Sequence, residues 1–301
     1  MIYELQDEIF IFEPEKYVAR QHECIEVTPD CVIHRACDGS VLYKSTRFSK
    51  KSLIYRVGEA SFEVAFRALC AEGIPDDAYN EIRDEIVSKT RSAIIVSGCA
   101  RTGTTLLLSM LGASGKVDML EELFCFTPGP FRVRYLNSRV RPNSIWCEKT
   151  PKNVHKIDEI QRLLGDKVKI IHLIRDCRDV ITSVHPSRPS EYWVPIQRWL
   201  DDTKAGVCSD AYQLRYEDLV GNPKEIAVVL EKLCNYLEIP YDERMLKQHI
   251  HGLQGSEAWF EAKAIHSQSV GKWHRPEHAA ILAEYYDNEE AVHLNNDMGY
   301  D

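Results

Sequence analysis

Two hydrophobic rhythms divide the chain. Up to about residue 58, apolar residues come in short runs (EIFIFEP, ECIEVT, CVIHRA, SVLYKS and SLIYRV) broken by Pro, Asp and Gly. That pattern predicts short strands joined by turns. Residues 60–72 and 76–90 then switch to helical spacing, with Phe62, Val64, Ala65 and Leu69 on one stretch and Ile82 and Ile86 on the other. After residue 92, continuous apolar runs alternate with helical patterns. SAIIVSG reads as a buried strand, and TLLLSMLGAS as a helix entered through a Gly- and Thr-rich turn. KVKIIHLIRD reads as a second buried strand with a helix starting near Asp176, and NPKEIAVVLEKLCNYLEI as an amphipathic helix with Pro223 near its start. Such alternation predicts an α/β fold, a parallel sheet flanked by helices, with ligands at the carboxyl ends of the strands. The expected organisation is a β-rich and helical extension over residues 1–90, followed by an α/β domain over 91–301.

Composition narrows the class. With 44% hydrophobic and 28% charged residues among 301, the chain has the balance of a globular protein and can bury a large core. Its apolar runs are far shorter than the roughly 18 residues of a membrane span. The start, MIYELQDEIF, has early acids and no basic segment leading into an apolar stretch, so no signal peptide is expected and a cytoplasmic location is. Ten cysteines then read as reduced thiols, most of them single residues in apolar segments, such as Cys70, Cys125 and Cys234. Cys24, Cys31, His34 and Cys37 form the one cluster, but they lack the close Cys-x-x-Cys pairs of common zinc sites, and buried strand thiols are the expectation. A net charge of −9 argues against nucleic acid or long polyanionic acceptors as partners. A local anion pocket stays compatible with it.

The sharpest chemical feature is SGCARTGTTLL, residues 97–107, which follows an apolar strand and opens a helix. Gly98 and Gly103 allow a tight turn. The N–H groups from Arg101 to Thr105, with the helix N-terminus, form an anion cradle of the P-loop type. A nucleotide P-loop has Lys where this chain has Thr104, and that Lys works with Mg²⁺ on the phosphates. Here the cation is Arg101, inside the loop. In LIRDCRDVITSV, Arg175 ends a strand and Ser183 follows eight residues on, roughly two helical turns later. A guanidinium grips a phosphate through two charge-assisted bonds, and a helix hydroxyl adds a third. The bland alternative is a helix-capping ion pair, Arg175–Asp176 or Arg178–Asp179.

These segments, in this order, resemble the sulfotransferases that use 3′-phosphoadenosine-5′-phosphosulfate (PAPS), with the tyrosylprotein and bacterial small-molecule branches nearest in motif. The resemblance covers roughly residues 93–275. It implies that Arg101, Thr102, Gly103, Thr104 and Thr105 hold the 5′-phosphosulfate, and that Arg175 and Ser183 hold the 3′-phosphate. Tyr216 in LRYEDLV and Lys272 in SVGKWHR then contact the nucleotide. It further implies a PAPS donor, adenosine 3′,5′-bisphosphate as product and no metal requirement, since less charge gathers on a transferred sulfuryl than on a phosphoryl group.

For the reacting centre, Lys149 in CEKTPKN matches the family's lysine at the leaving group, with a solvated strand-end lysine as the alternative. The histidine base of the cytosolic branch is missing, because Pro151 follows Thr150. In the tyrosylprotein branch the base is a Glu 21 residues after the loop Arg, a count that lands on Glu122, next to Glu121. The expected catalytic set is therefore Glu122, Lys149 and Arg101, acting on a hydroxyl of a small polar metabolite with no membrane partner. The open roles of residues 1–90 are packing on the core, shaping the acceptor pocket and homodimerisation. Two rivals stand beside this: a small-molecule P-loop kinase, and an inactive nucleotide-binding module.

Overall fold

The computed structural model describes residues 2–5, 8–11, 24–27, 32–35, 41–44, 47–49, 76–121, 136–137, 139–185, 188–252 and 264–300. The chain forms two compact units, Met1–Asn80 with Thr127–Arg134, and a larger one of Glu81–Phe126 with Tyr135–Asp301.

The first unit is described through its backbone. Its strands are β1 (Ile2–Leu5), β2 (Glu8–Ile11), β3 (Cys24–Val27), β4 (Val32–Arg35), β5 (Val41–Lys44) and β6 (Arg47–Ser49). They pair antiparallel in two three-stranded sheets, ordered β1-β2-β6 and β3-β4-β5. Four of the five expected strand segments form. The fifth, SLIYRV, and the expected helix over 60–72 lie outside the described residues. The sequence pattern missed β1 and β6. Arg47-Phe48-Ser49 is too short and polar to show an alternation, and it becomes a strand by pairing with β2. In the cysteine cluster, Cys24 opens β3 and His34 lies on β4, in register with Ile25; Cys31 and Cys37 are outside the described residues.

α1 (Asp76–Lys89) matches the helical spacing expected there and leads directly into β7 (Thr90–Gly98). The larger unit is built on one five-stranded sheet with β8 (Asp118–Glu121), β9 (Ser144–Lys149), β10 (Val168–Ile174) and β13 (Tyr212–Arg215). The order is β13-β10-β7-β9-β8, and every pairing is parallel. β11 (Val184–His185) and β12 (Arg188–Tyr192) form a separate antiparallel hairpin. Helices α2 (Thr104–Ala113), α3 (Ile157–Leu164), α4 (Cys177–Ile181), α5 (Ile196–Val207), α6 (Pro223–Leu237), α7 (Ala279–Tyr286) and α8 (Glu289–Asp297) surround it, with a single helical turn at Gln248–His251 and short 3-10 segments between them. This is the α/β fold that the strand–helix alternation predicts.

β7 lies in the middle of the sheet and is covered on both faces, which is why Ala93, Ile94, Ile95 and Val96 form an unbroken apolar run with no exposed surface. One face packs with α2 and α6 through Ile94, Val96, Leu107, Leu111, Leu230 and Leu233. Each such side chain contributes roughly 1.5–3 kcal/mol by leaving water. α2 is buried nearly all round, so its sequence is apolar rather than amphipathic. α6 starts where Asn222 Oδ1 accepts the Lys224 N–H and Pro223 takes the first helical position, and it stops where Glu238 turns left-handed. The other face gathers Cys99, Cys177, Val180, Trp199 and Tyr285. The order brings the carboxyl ends of β9, β7 and β10 side by side, and the predicted site residues lie there.

Candidate active site

The loop after β7 is a sharp turn built by backbone sign changes. Arg101 has φ 73° and Gly103 φ 92°, both left-handed, and Gly103 is the N-cap of α2. A side chain at 103 would also collide with Tyr216, its Cβ lying 2.4 Å from Tyr216 Cδ2. Glycine is required here for both reasons. Thr102 turns inward: its N–H and its hydroxyl both donate to the Cys99 carbonyl, at 3.3 and 2.7 Å. Thr102 thus braces the loop. Thr104 is buried and Thr105 half-buried at the start of α2, while the Arg101 residue is exposed.

The end of β10 holds a cation quite differently. The Arg175 residue is 6% exposed. Its Nη1 donates to the Arg101 carbonyl at 2.8 Å and its Nη2 to the Ser269 carbonyl at 2.5 Å. Its guanidinium lies over the Tyr216 ring, 4.3 Å from the centroid, and 3.8 Å from Asp179 Oδ2. Arg175 Nε is buried without a hydrogen-bond partner. The ion pairs differ from those of the bland alternative, Arg175–Asp176 and Arg178–Asp179. Asp176 caps α4 by accepting the Arg178 N–H at 2.9 Å and pairs with the Arg178 guanidinium at 2.8 Å, whereas Asp179 faces Arg175. Spacing explains the approach of Asp179 to Arg175, because on a helix residues four apart share a face and adjacent ones do not.

Arg101, Arg175, Ser183 and Lys272 line one cavity of about 350 Å³, with Asp179, Arg275 and others. That volume is at the lower end of the roughly 300–1,000 Å³ of small-molecule sites. Four cations against Asp179 and Glu277 leave the lining net positive in a protein of net charge −9. Although the Arg101 residue as a whole is exposed, loss of water around its guanidinium in the cavity, and then the Arg175 guanidinium, lower its pKa. Burial, then Arg175, Arg275 and Arg101, lower that of Lys272, with Asp179 opposing. Crowded like charges have this effect, and an anion among them offsets it. The Ser183 hydroxyl donates to the Asp179 carbonyl at 2.7 Å, which leaves its oxygen lone pairs able to accept.

The remaining predicted residues fall into two groups. Tyr216 is buried between Gly103 and Arg175 and joins the loops after β7 and β10. Lys149 ends β9 between β7 and β8, in register with Val96 and with Glu121, and is 2% exposed. It is therefore not the solvated strand-end lysine of the alternative reading. The turn after it is anchored by Glu148, whose buried carboxylate accepts from the Thr150 hydroxyl at 2.5 Å and from the Asn153 amide. Glu121 ends β8 beside Lys149 in the sheet, and Glu122 lies outside the described residues. His155 pairs with Asp202 at 2.6 Å.

Sequence reasoning missed Asp179, Tyr192, Arg275 and His278, all of which line the cavity. Arg275 is the last residue of the SVGKWHR segment, so that motif held its signal. Tyr192 donates to or accepts from His278 Nδ1 at 2.8 Å across 86 positions of sequence, a contact with no local signature.

Among the described residues no helix is long and apolar enough to cross a membrane. No curated protein sequence matches the chain significantly. Among solved structures the chain is similar to the sulfotransferase domain from the curacin biosynthetic pathway, at 17% identity over 70% of this chain and 98% of that one, with a TM-score of 0.43. It is similar to mouse sulfotransferase SULT7A1 complexed with PAP at 14% identity, 73% and 94% coverage and a TM-score of 0.45. Sulfotransferase STF1 from Mycobacterium tuberculosis H37Rv follows at 12% identity, 61% and 77% coverage and a TM-score of 0.38. The model of the sulfotransferase family matches residues 130–243. That segment carries Lys149, Arg175, Ser183 and Tyr216.

Proposed function

We propose that the chain transfers a sulfuryl group from PAPS to a hydroxyl of a small polar metabolite, without a divalent metal. The observation that supports this best is the cavity in which Arg101, Arg175, Ser183 and Lys272 converge at the ends of β7 and β10. The donor supplies an activated sulfuryl group on a phosphate leaving group. Arg175 is held by two carbonyls and a ring, so its donors are oriented before an anion arrives, and its buried, unpartnered Nε fits an acceptor. Arg175, Ser183 and Lys272 would hold the 3′-phosphate. The turn from Arg101 to Thr105 would hold the 5′ end through the α2 N-terminus and the Arg101 side chain, with Thr102 keeping the loop's shape.

Arg101 and Lys149 would counter the negative charge that grows on the leaving oxygen. Glu122 would take the acceptor hydroxyl proton as the new S–O bond forms and the bond to the leaving oxygen breaks. The boundary between residues 1–90 and 91–301, homodimerisation through the first segment and a cytoplasmic location belong to the same proposal.

Calorimetry with adenosine 3′,5′-bisphosphate, AMP and ATP tests the donor. The bisphosphate should bind about 10- to 150-fold more tightly than AMP, the value of a charged hydrogen-bond partner at the 3′-phosphate. Equal affinities would overturn the reading. Turnover with labelled PAPS should persist in excess chelator, and an activity restored by Mg²⁺ would favour a kinase instead.

A further inference from the structure

Asp179 is a carboxylate inside an anion-binding cavity, which on charge alone works against the ligand. Its side chain is 1% exposed. The explanation lies in what it accepts. Oδ2 takes the Gly271 N–H at 2.8 Å, and Oδ1 takes the Trp273 N–H at 3.4 Å. These bonds cross more than 90 positions of sequence and fall on either side of Lys272. The same segment is fastened twice more, by Arg175 Nη2 on the Ser269 carbonyl and by the Arg178 guanidinium 4.1 Å from the centre of the Trp273 ring. Gly271 has φ 72°, so the chain bends there in a conformation that glycine adopts without strain.

We propose that Asp179 is a positioning residue that fixes the Ser269–Trp273 segment against α4, and thereby places Lys272 and Arg175 for the donor's 3′-phosphate. This rests on the donor proposed above. Removing the carboxylate has two effects of opposite sign. Charge predicts that an anion binds more tightly to Asp179→Asn, because a negative neighbour is gone. Positioning predicts weaker binding, because Asn replaces one of the two accepting oxygens with an NH₂ donor, which then faces one of the N–H groups or Arg175.

The test is hydrogen exchange of the intact chain without nucleotide, together with calorimetry using adenosine 3′,5′-bisphosphate. In Asp179→Asn the Gly271 and Trp273 amides should exchange at least about tenfold faster while those of β7 and α6 keep their rates. The Kd should rise about 10- to 100-fold. With PAPS and an acceptor, the donor KM should rise while kcat at saturating donor stays within about threefold. Asp179→Glu keeps the charge and misplaces the acceptor, so it too should bind the bisphosphate more weakly, and it carries the test if the Asn variant does not fold. Unchanged exchange at Gly271 and Trp273, or an Asn variant that binds the bisphosphate as tightly as wild type or tighter, would overturn the proposal. If the wild-type chain itself fails to bind the bisphosphate, the proposed donor is wrong, while the exchange rates still decide whether Asp179 fastens the segment.

Discussion

The loops after β7 and β10 are the same device in two states of constraint. Each runs from a central parallel strand through an arginine into a helix. After β10, Arg175 is buried and clamped by the carbonyls of Arg101 and Ser269, with Tyr216 beneath it. After β7, Arg101 is exposed on a left-handed residue, and its carbonyl rather than its side chain ties the two loops together. A clamped guanidinium suits an anion whose charge does not change in the reaction. A less constrained one can follow charge that grows in the transition state. The helices differ too: α2 is a ten-residue buried anchor, and α4 is a five-residue turn that carries Asp179 and leads to Ser183.

The largest expected effect lies outside both arms and shows what neither cation can do. Glu122→Gln keeps the shape and removes the proposed proton acceptor, so kcat should fall about 10²- to 10⁴-fold with bisphosphate affinity near wild type. If Glu121→Gln is the damaging change and Glu122→Gln is not, the base is the neighbour that ends β8. Next come the two arginines. Arg101→Ala should lower kcat about 10²- to 10³-fold, the usual loss when one stabilising donor is removed at a developing oxyanion. Arg175→Ala should instead weaken the bisphosphate about 10- to 150-fold and leave kcat at saturating donor within a few-fold. Steady-state kinetics showing the reverse split would break the comparison.

Gly103→Ala strikes both loops at once, since its methyl group would enter the Tyr216 ring that supports Arg175. A weakening of the bisphosphate of about tenfold is expected, and an additional Tyr216→Leu should recover part of it by making room. Wild-type affinity in Gly103→Ala would show that the tight approach is not needed.

The smallest effect on turnover is expected behind the sheet. His172 on β10 is fully buried against Gly206, and neither ring nitrogen has a partner. Burial lowers its pKa to about 4 from 6.5. The unfolded chain therefore takes up this proton as pH falls through about 6.5, and the folded chain does so only near 4. The stability it protects is complete above about 6.5 and is lost as the pH falls toward 4. Denaturant unfolding should show wild type losing roughly 2–3 kcal/mol more than His172→Met between pH 7 and 4.5. Parallel losses in the two proteins would mean that other groups govern acid stability.

Local physics made much of this legible in advance. The β7 strand, the glycine turn and α2 follow from an apolar run, two glycines and a helical pattern within about 20 neighbouring positions, and the start of α6 follows from Asn222 and Pro223. The loop around Arg101 could be read for the same reason, as a short segment with its own charge and backbone demands, whereas Arg175, Ser183 and Lys272 stand out through the resemblance of their segments to a known family. Their meeting in one cavity could not be read from spacing. Arg175 reaches Ser269 across 94 positions, and Asp179 reaches Gly271 across 92. Only the packing of strands β7 and β10 and the return of the chain after α6 decide such contacts, because a hydrogen bond depends on distance in space and leaves no periodicity in the chain. The sequence determined which residues carry charge and where the backbone must turn. The tertiary structure decided that one arginine is clamped and the other exposed, and that a buried carboxylate sits among the cations, because burial and orientation belong to the assembled sheet and helices rather than to any segment of them.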